Sequence, residues 1–229
     1  MNKFCITAKN LEKQDEARQI AARLGFVYDE ADPGFVISLG GDGTYLICEY
    51  QRPGIPKLLV RDSLICAKCH DEPLPEMLEL ILKDKYRVVD MMKLEAISGN
   101  IRKLAVNDIV MRNADQRHAL RFSLDIGGVE MTGTVIGDGI VAATPFGSTG
   151  YYHSVTGSTF ASGFAIGFNN PTNTRKPICL EAGSQLTITI QRSDAYIAAD
   201  NQPDMQMLHA GDKLTIRAAA ETARRVGHK

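Results

Sequence analysis

Two rhythms of apolar and polar positions run along this chain, and they divide it. In the first ninety residues, Lys3–Ala8 is a short apolar run that predicts a strand. Asn10 follows, a residue suited to accept hydrogen bonds from the free amides at a helix start. Ala17, Ile20, Ala21 and Leu24 then recur at helical spacing, and Gly25 stands where such a helix stops. Gly34–Leu39 is a second strand and Lys57–Val60 a third. Leu74, Met77, Leu78 and Ile81 return to helical spacing, with Glu76 and Glu79 early and Lys83 and Lys85 late, the order a helix dipole favours. Strands that alternate with helices imply a largely parallel sheet with crossover helices.

Past Val89 the period becomes two. Arg121–Ile126, Gln185–Ile190 and Lys213–Ile216 alternate polar and apolar, and Gly127-Gly128, Gly137-Asp138-Gly139 and Ala210-Gly211-Asp212 supply turns between such runs. No long helix is expected before residue 217. The expected fold is α/β plus all-β, with an N-terminal Rossmann-like α/β domain over 1–90 and a C-terminal antiparallel β domain of sandwich type over 91–217. A tail over 218–229, Ala-rich and then basic, has the composition of a frayed helix.

Composition narrows the function. Of 229 residues, 26 are Lys or Arg and 27 Asp or Glu, a net charge of −1, which argues against a basic nucleic-acid binder. At 44% hydrophobic and 23% charged, the chain is globular rather than disordered. No run approaches ~18 apolar residues, so no membrane span is expected. The N-terminus does not read as a signal peptide. The five cysteines, Cys5, Cys48, Cys66, Cys69 and Cys179, are odd in number and scattered, and read as reduced thiols of a cytoplasmic protein.

The chemistry concentrates where the second strand runs into Gly40-Gly41-Asp42-Gly43-Thr44 and a helical pattern resumes. Glycines let backbone approach an anion, and a helix start offers unpaired N–H groups and a positive dipole end. This is neither a Walker A loop nor the dinucleotide G-x-G-x-x-G pattern. The central carboxylate would repel phosphate unless it holds Mg²⁺ or takes a proton from an attacking hydroxyl. The plainer reading is that Asp42 only caps the next helix. Thr144-Pro145-Phe146-Gly147-Ser148-Thr149-Gly150-Tyr151 can present N–H and O–H groups to a sugar or base, with a ring for stacking, or be a pair of surface turns. Asn107-Asp108, between Leu104–Val106 and Ile109-Val110, would be costly if buried unpaired, so these residues bind ligand hydroxyls or mark a bulge or edge.

Taken in order, these segments, with Asp138-Gly139 six residues before the Thr-Pro-x-Gly-Ser-Thr-x-Tyr loop and Asp200 after it, resemble the NAD kinase family, the ATP or polyphosphate NAD kinases. The glycine turn alone is shared with lipid kinases and phosphofructokinases; the later loop at this spacing is the specific part. The resemblance implies two domains with ligand in the cleft between them, and phosphoryl transfer from ATP or polyphosphate to the 2′-hydroxyl of the adenosine ribose of NAD, giving NADP. It implies Mg²⁺ or another divalent cation, whose ligands the motifs leave open, and a homodimer or homotetramer. By position, Asp42 is the expected acid/base. Gly40, Gly41 and Gly43, with Thr44, come close to phosphate, and Asn107 and Asp108 bind ribose hydroxyls. Thr149 and Tyr151 contact the adenine end, in the loop that includes Thr144, Gly147 and Ser148. Asp138 and Asp200 line the rest of the pocket.

The chain also departs from the family. Asp108 stands where Glu is usual, Phe146 where Thr or Ser is usual, Gly150 in place of Ala, and Asn201 after Asp200 in place of Gly or His. The family's glycine-rich loop after the third strand is replaced by Leu59–Cys69, which has no glycine. A kinase for another nucleoside, sugar or lipid hydroxyl, and a nucleotide-binding protein without catalysis, are the alternatives. Cys66-Ala67-Lys68-Cys69-His70 matches a haem attachment pattern that needs export, and as a zinc site it lacks a further ligand, since His118, His153 and His209 are distant in sequence. Arg61, Arg112, Arg175 and Lys176 are candidate phosphate clamps.

Overall fold

In the computed structural model, which describes every residue except 65, 67, 132 and 229, aromatic side chains gather around the first strand. Phe4 of β1 (Lys3–Ala8) meets the rings of Phe26 and Tyr28 edge-on, at centroid distances of 6.3 and 5.6 Å. Asn10 caps α1 (Leu11–Arg23), its Oδ1 accepting from the backbone N–H of Glu12 at 2.9 Å and of Lys13 at 3.3 Å. Small residues let this helix lie close to the sheet, since only Ala17 and Ala21 on it are fully buried. The two-residue β2 (Val27–Tyr28) leads to β3 (Phe35–Gly40), buried along its whole length as expected of a central parallel strand. Next come α2 (Asp42–Gln51), β4 (Lys57–Arg61) and α3 (Leu74–Leu82), whose Leu74, Met77, Leu78 and Ile81 all face the core. The strands pair in parallel in the order β2-β1-β3-β4. Lys57, fully buried, reaches the carboxylate of Glu49 and the carbonyl of Arg52 at 2.6 Å, which fastens the end of α2 to β4. These elements belong to a compact unit of Met1–Met91 and Thr222–Lys229.

The second unit, Met92–Glu221, is antiparallel. Its elements are the long β5 (Tyr86–Ser98), most of which lies here, β6 (Ile101–Ala105), β7 (Asp108–Asn113), β8 (Leu120–Ile126), β9 (Val129–Glu130), β10 (Val135–Gly137) and β11 (Gly139–Ala143). The six-residue helix α4 (Tyr151–Thr156) is followed by β12 (Phe164–Asn169), β13 (Ile178–Leu180), β14 (Gln185–Arg192), β15 (Ala195–Ala199), β16 (Gln206–Leu208) and β17 (Lys213–His228). One sheet runs β13-β12-β11-β7-β15-β16, and β10-β8-β14-β17 runs in another. Ile109, Met111 and Ile140 from the first share a core with Phe122, Leu124, Leu186 and Ile188 from the second, the packing of a sandwich.

The α/β and antiparallel β architectures are those the periodicities implied. Residues 218–228 differ, being strand where the alanines suggested helix. Ala223 and Val226 are buried while Arg224 is exposed, and Arg225 pairs in parallel with Lys57 of β4. Tertiary pairing overrides a weak intrinsic preference. Among the described residues, no helix is long and apolar enough to cross a membrane.

Candidate functional site

In the first unit, β3 delivers the chain to Gly40, and Gly41 is the N-cap of α2 with no side chain capping it. Gly40 is required by close approach, because a Cβ there would sit 2.2 Å from Thr44 Oγ1. That hydroxyl is buried without a hydrogen-bond partner among the described residues. Asp42 is the first residue of α2, so the turn and the first helical turn overlap: Asp42, Gly43 and Thr44 are already helix. They line a pocket of about 420 Å³ together with Lys9, Asp62 and Ser63. A helix N-terminus, close backbone and an open pocket make an anion-accepting geometry.

The capping reading of Asp42 does not hold, since Gly41 occupies the cap position and no side chain fills the role. The carboxylate instead meets the segment after β4: Oδ1 accepts the Lys68 backbone N–H at 3.1 Å and lies 3.1 Å from Cys66 Sγ. Burial pulls the Lys68 ammonium below its ordinary range, with Asp42 acting in the opposite direction. The expectation that all five cysteines are reduced is corrected here. Cys66 and Cys69 are joined by a disulfide, while Cys5 and Cys48 are free and buried and Cys179 is free and exposed. Spacing counted along the chain does not show that the loop turns back on itself and brings the two Cα atoms to 5.7 Å. Of the candidate clamps, Arg61 is engaged by Asp71 at 2.9 Å and by the Cys66 carbonyl at 3.1 Å.

In the second unit, Asp200 holds the polar pair. It adopts a left-handed backbone (φ 47°) just after β15, and its carboxylate accepts from the backbone N–H of Val106 at 2.7 Å, Asn107 at 2.8 Å and Asp108 at 3.2 Å. Thr144 closes the other side, its N–H donating to the Asn107 carbonyl at 2.9 Å and its hydroxyl to that of Val106. The Thr144 hydroxyl accepts in turn from the Gly147 N–H at 3.1 Å. Gly147 lies so close to Asn107 that a Cβ would fall 2.1 Å from the Asn107 carbonyl oxygen. The backbone around Asn107 is therefore fixed from three sides, while its side-chain Oδ1 is buried and without a partner among the described residues.

Asn107, Asp108, Thr144, Gly147 and Asp200 are thus brought together, with Ser148 tied to the loop through the Pro145 carbonyl at 2.8 Å. Thr149 is exposed. Asp138 stands at the opposite end of β11 from Thr144 and binds Asn170 Nδ2 at 3.1 Å. Its connection is to Tyr151: the Asp138 N–H donates to the Asn169 carbonyl, and Asn169 Nδ2 donates to the Tyr151 hydroxyl at 3.1 Å. Arg175 lies over the Phe168 ring at 5.7 Å, and His153 is exposed.

Burial, and then the nearby Asp200, push the Asp108 carboxyl up to about 7; burial raises Asp200 too, against its three backbone donors. A raised carboxyl binds its proton more tightly in the folded state, so its contribution to stability is full below its ordinary pKa of 3.8 and is lost progressively as pH rises from there through about 7. Asp108→Asn removes that loss. It should raise the melting temperature near pH ~8 and change it little near pH ~3, below the ordinary carboxylate pKa of 3.8. Thermal melts at the two pH values check this, and equal shifts at both would refute it.

Lys68, Cys66, Cys69, Asp62 and Asn169 contact or adjoin the candidate residues and were not singled out beside them by the sequence. The Cys-x-x-Cys spacing was visible, but its partner lies 24 residues upstream and nothing along the chain announced it.

The ATP-NAD kinase C-terminal domain family matches residues 106–227. An NAD kinase of Geobacter sulfurreducens is 28% identical over 228 residues, covering 92% of this chain and 79% of that protein. An NAD kinase of Aromatoleum aromaticum is 30% identical over 214 residues, covering 86% and 70%. The crystal structure of yeast NADH kinase complexed with NADH superposes with a TM-score of 0.86 at 18% identity, covering all of this chain and 84% of that one.

Proposed function

The chain belongs to the NAD kinase family and phosphorylates NAD at the expense of ATP, and we propose that Asp42 and the glycine turn carry the transfer to the 2′-hydroxyl of the adenosine ribose. The observation behind this reading is the placement of Asp42 at the start of α2, on the wall of a pocket of about 420 Å³ beside the buried, unpartnered Thr44 hydroxyl. The amides of the turn and the positive end of α2 hold the donor's terminal phosphates. Gly40, Gly41 and Gly43 keep side chains out of that approach. Asp42 accepts the proton of the 2′-hydroxyl as its oxygen attacks the terminal phosphorus. The bond from that phosphorus to the bridging oxygen breaks, and ADP leaves. Phosphoryl transfer of this kind depends on positioning and on neutralising charge.

On the nucleoside side, the unpartnered Oδ1 of Asn107 accepts from a ribose hydroxyl, and Asp108, protonated in part near neutral pH, donates to one. Asp200 and Thr144 act on these two through backbone, as positioning residues. Ser148, Thr149 and Tyr151 face the adenine end, and Asn169 links the Tyr151 hydroxyl, through its side chain, to the backbone of Asp138.

A divalent cation fits the donor set of the first unit. Mg²⁺ takes oxygen ligands, commonly one or two carboxylates with the remainder from phosphates and water, and Asp62 and Ser63 line the pocket beside the turn, which leaves Asp42 to act as base. When bound, the cation neutralises phosphate charge. A homodimer or homotetramer is supported by the family resemblance, and light scattering on the purified chain decides it.

The test is a coupled assay. Protein, NAD, Mg²⁺ and either ATP or polyphosphate are incubated, and product is read with an NADP-specific dehydrogenase. NADP from the parent but not from Asp42→Asn supports the assignment. No NADP with either donor overturns it and favours another hydroxyl acceptor or binding without catalysis.

A further inference from the structure

Cys66, Lys68 and Cys69, after β4, lie close to Asp42. Three groups from two separated stretches converge there: the Asp42 carboxylate, Cys66 Sγ and Cys69 Sγ, with ligand atoms all within 4.8 Å of one another. We propose that, once the disulfide is reduced, Cys66, Cys69 and Asp42 form a site for a thiophilic divalent cation such as Zn²⁺, and that the bound cation masks Asp42.

The chemistry of the donor set supports this. Two thiolates and one carboxylate are ordinary zinc ligands, and a set of three protein ligands with an open position is the pattern of an accessible rather than a closed structural site. The sequence alone left the Cys-x-x-Cys pair short of a ligand, and the fold supplies one. Bonds of about 2.0–2.3 Å in a tetrahedron place ligand atoms roughly 3.3–3.8 Å apart. The Cys66 Sγ to Asp42 Oδ1 separation is already 3.1 Å, close to that range. Only the two sulfurs must part, and reduction releases them. The Gly40 carbonyl, 3.5 Å from Cys69 Sγ, adds an oxygen at the same place. Of the three ligands, Asp42 also lines the open pocket with Gly40 and Ser63. The Lys68 ammonium is attracted by Asp42 and offsets part of the negative charge of three anionic ligands.

The steps balance. A dithiol reductant gives two electrons and two protons to the Cys66–Cys69 bond and becomes a disulfide itself. The cation then displaces the two thiol protons into solvent as the thiolates bind. The two states exclude each other: sulfurs bonded together cannot act as thiolate ligands. Masking matters because a carboxylate engaged by a soft cation cannot take a proton from the acceptor hydroxyl, and this consequence rests on the role proposed above for Asp42.

The experiment titrates the full chain with Co²⁺ as a spectroscopic substitute for Zn²⁺, after reduction by a phosphine and its removal without oxygen. Thiol counting confirms the two added thiols. The expected result is a thiolate-to-cobalt charge-transfer band that saturates at one ion per chain, is absent from the disulfide form, and is absent from Cys66→Ser/Cys69→Ser. Asp42→Asn should weaken cobalt binding at least ~10-fold. No band in the reduced parent overturns the site, as does a band that persists in the disulfide form, which has the native sequence and serves even if the double variant folds poorly. Unchanged affinity in Asp42→Asn removes Asp42 from the ligand set and overturns the masking. None of these readings needs NAD or ATP, so they stand apart from the kinase assignment. In the coupled assay, Zn²⁺ should inhibit the reduced parent at least ~10-fold, reversibly by chelator, and leave the double variant uninhibited. Equal inhibition of both overturns the masking, and absence of kinase activity in every form counts against the kinase assignment alone.

Discussion

Asp42→Asn should lower kcat by at least ~100-fold while KM for NAD stays within a few fold, the size of effect expected when a positioned base is removed. Asn has nearly the same shape and keeps an oxygen for the Lys68 N–H, so the loop contact at 3.1 Å survives. What it loses is the capacity to take a proton. Loss of a negative charge at the start of α2 costs stability too, but only about 0.3–1 kcal/mol, too little to account for the fall in rate. Steady-state kinetics on both proteins, with a thermal melt beside them, separate the two effects. A near-normal kcat would remove Asp42 from the base role. A large rise in KM with kcat preserved would make it a binding residue instead.

Gly147→Ala should be strongly damaging for a single methyl group. Its Cβ would be 2.1 Å from the Asn107 carbonyl oxygen and 2.6 Å from the Asn107 Cα. Backbone has to yield, and it is backbone that Asp200 and Thr144 hold by hydrogen bonds to Val106, Asn107 and Asp108. Overpacking a well-packed site costs about 1–3 kcal/mol, and with an immovable neighbour the loss should reach at least the upper end of that range. If the loop shifts to relieve the clash, Asn107 moves with it and NAD binding weakens. The comparison is Gly150→Ala, which restores the residue usual in the family at that position. Its Cβ would meet only the Gly147 carbonyl, at 3.3 Å, and the Asn107 Nδ2 at 3.9 Å, so its effect should be small. Urea unfolding and NAD titration of both variants check this. Similar behaviour of the two would show that the Asn107 backbone is softer than its hydrogen bonds imply.

Much of this was legible in the chain because the signals are local. Asn10 before an apolar periodicity, the buried face Leu74, Met77, Leu78 and Ile81, and the alternation of Arg121–Ile126 each fix an element within a few residues of themselves. The Gly40–Thr44 turn was likewise readable at the end of a strand, and Thr144–Tyr151 as a loop of small and hydroxyl residues. What escaped depends on long-range partners. Asp200 acts on Val106, Asn107 and Asp108, more than ninety residues earlier. The Ala-rich stretch from Ala218 has a helical composition, but strand pairing decides its conformation. Cys66 is paired with Cys69 and touches Asp42, neither of which a count of cysteines could reveal.

The route of β17 also bears on how the protein is made. The residues that complete the first unit, Thr222 onward, are synthesised after the whole of the second. Val226 is part of the core formed by Phe4, Phe35, Ile37 and Leu58, and its carbonyl bonds the buried His70 ring at 2.9 Å. On the ribosome, the segment holding the glycine turn therefore emerges first and waits, with a strand position beside Lys57 unfilled, while about 130 further residues are added at roughly 5–20 per second. During those seconds β4 is an open sheet edge, the kind of surface that nascent chains expose to chaperones and to one another.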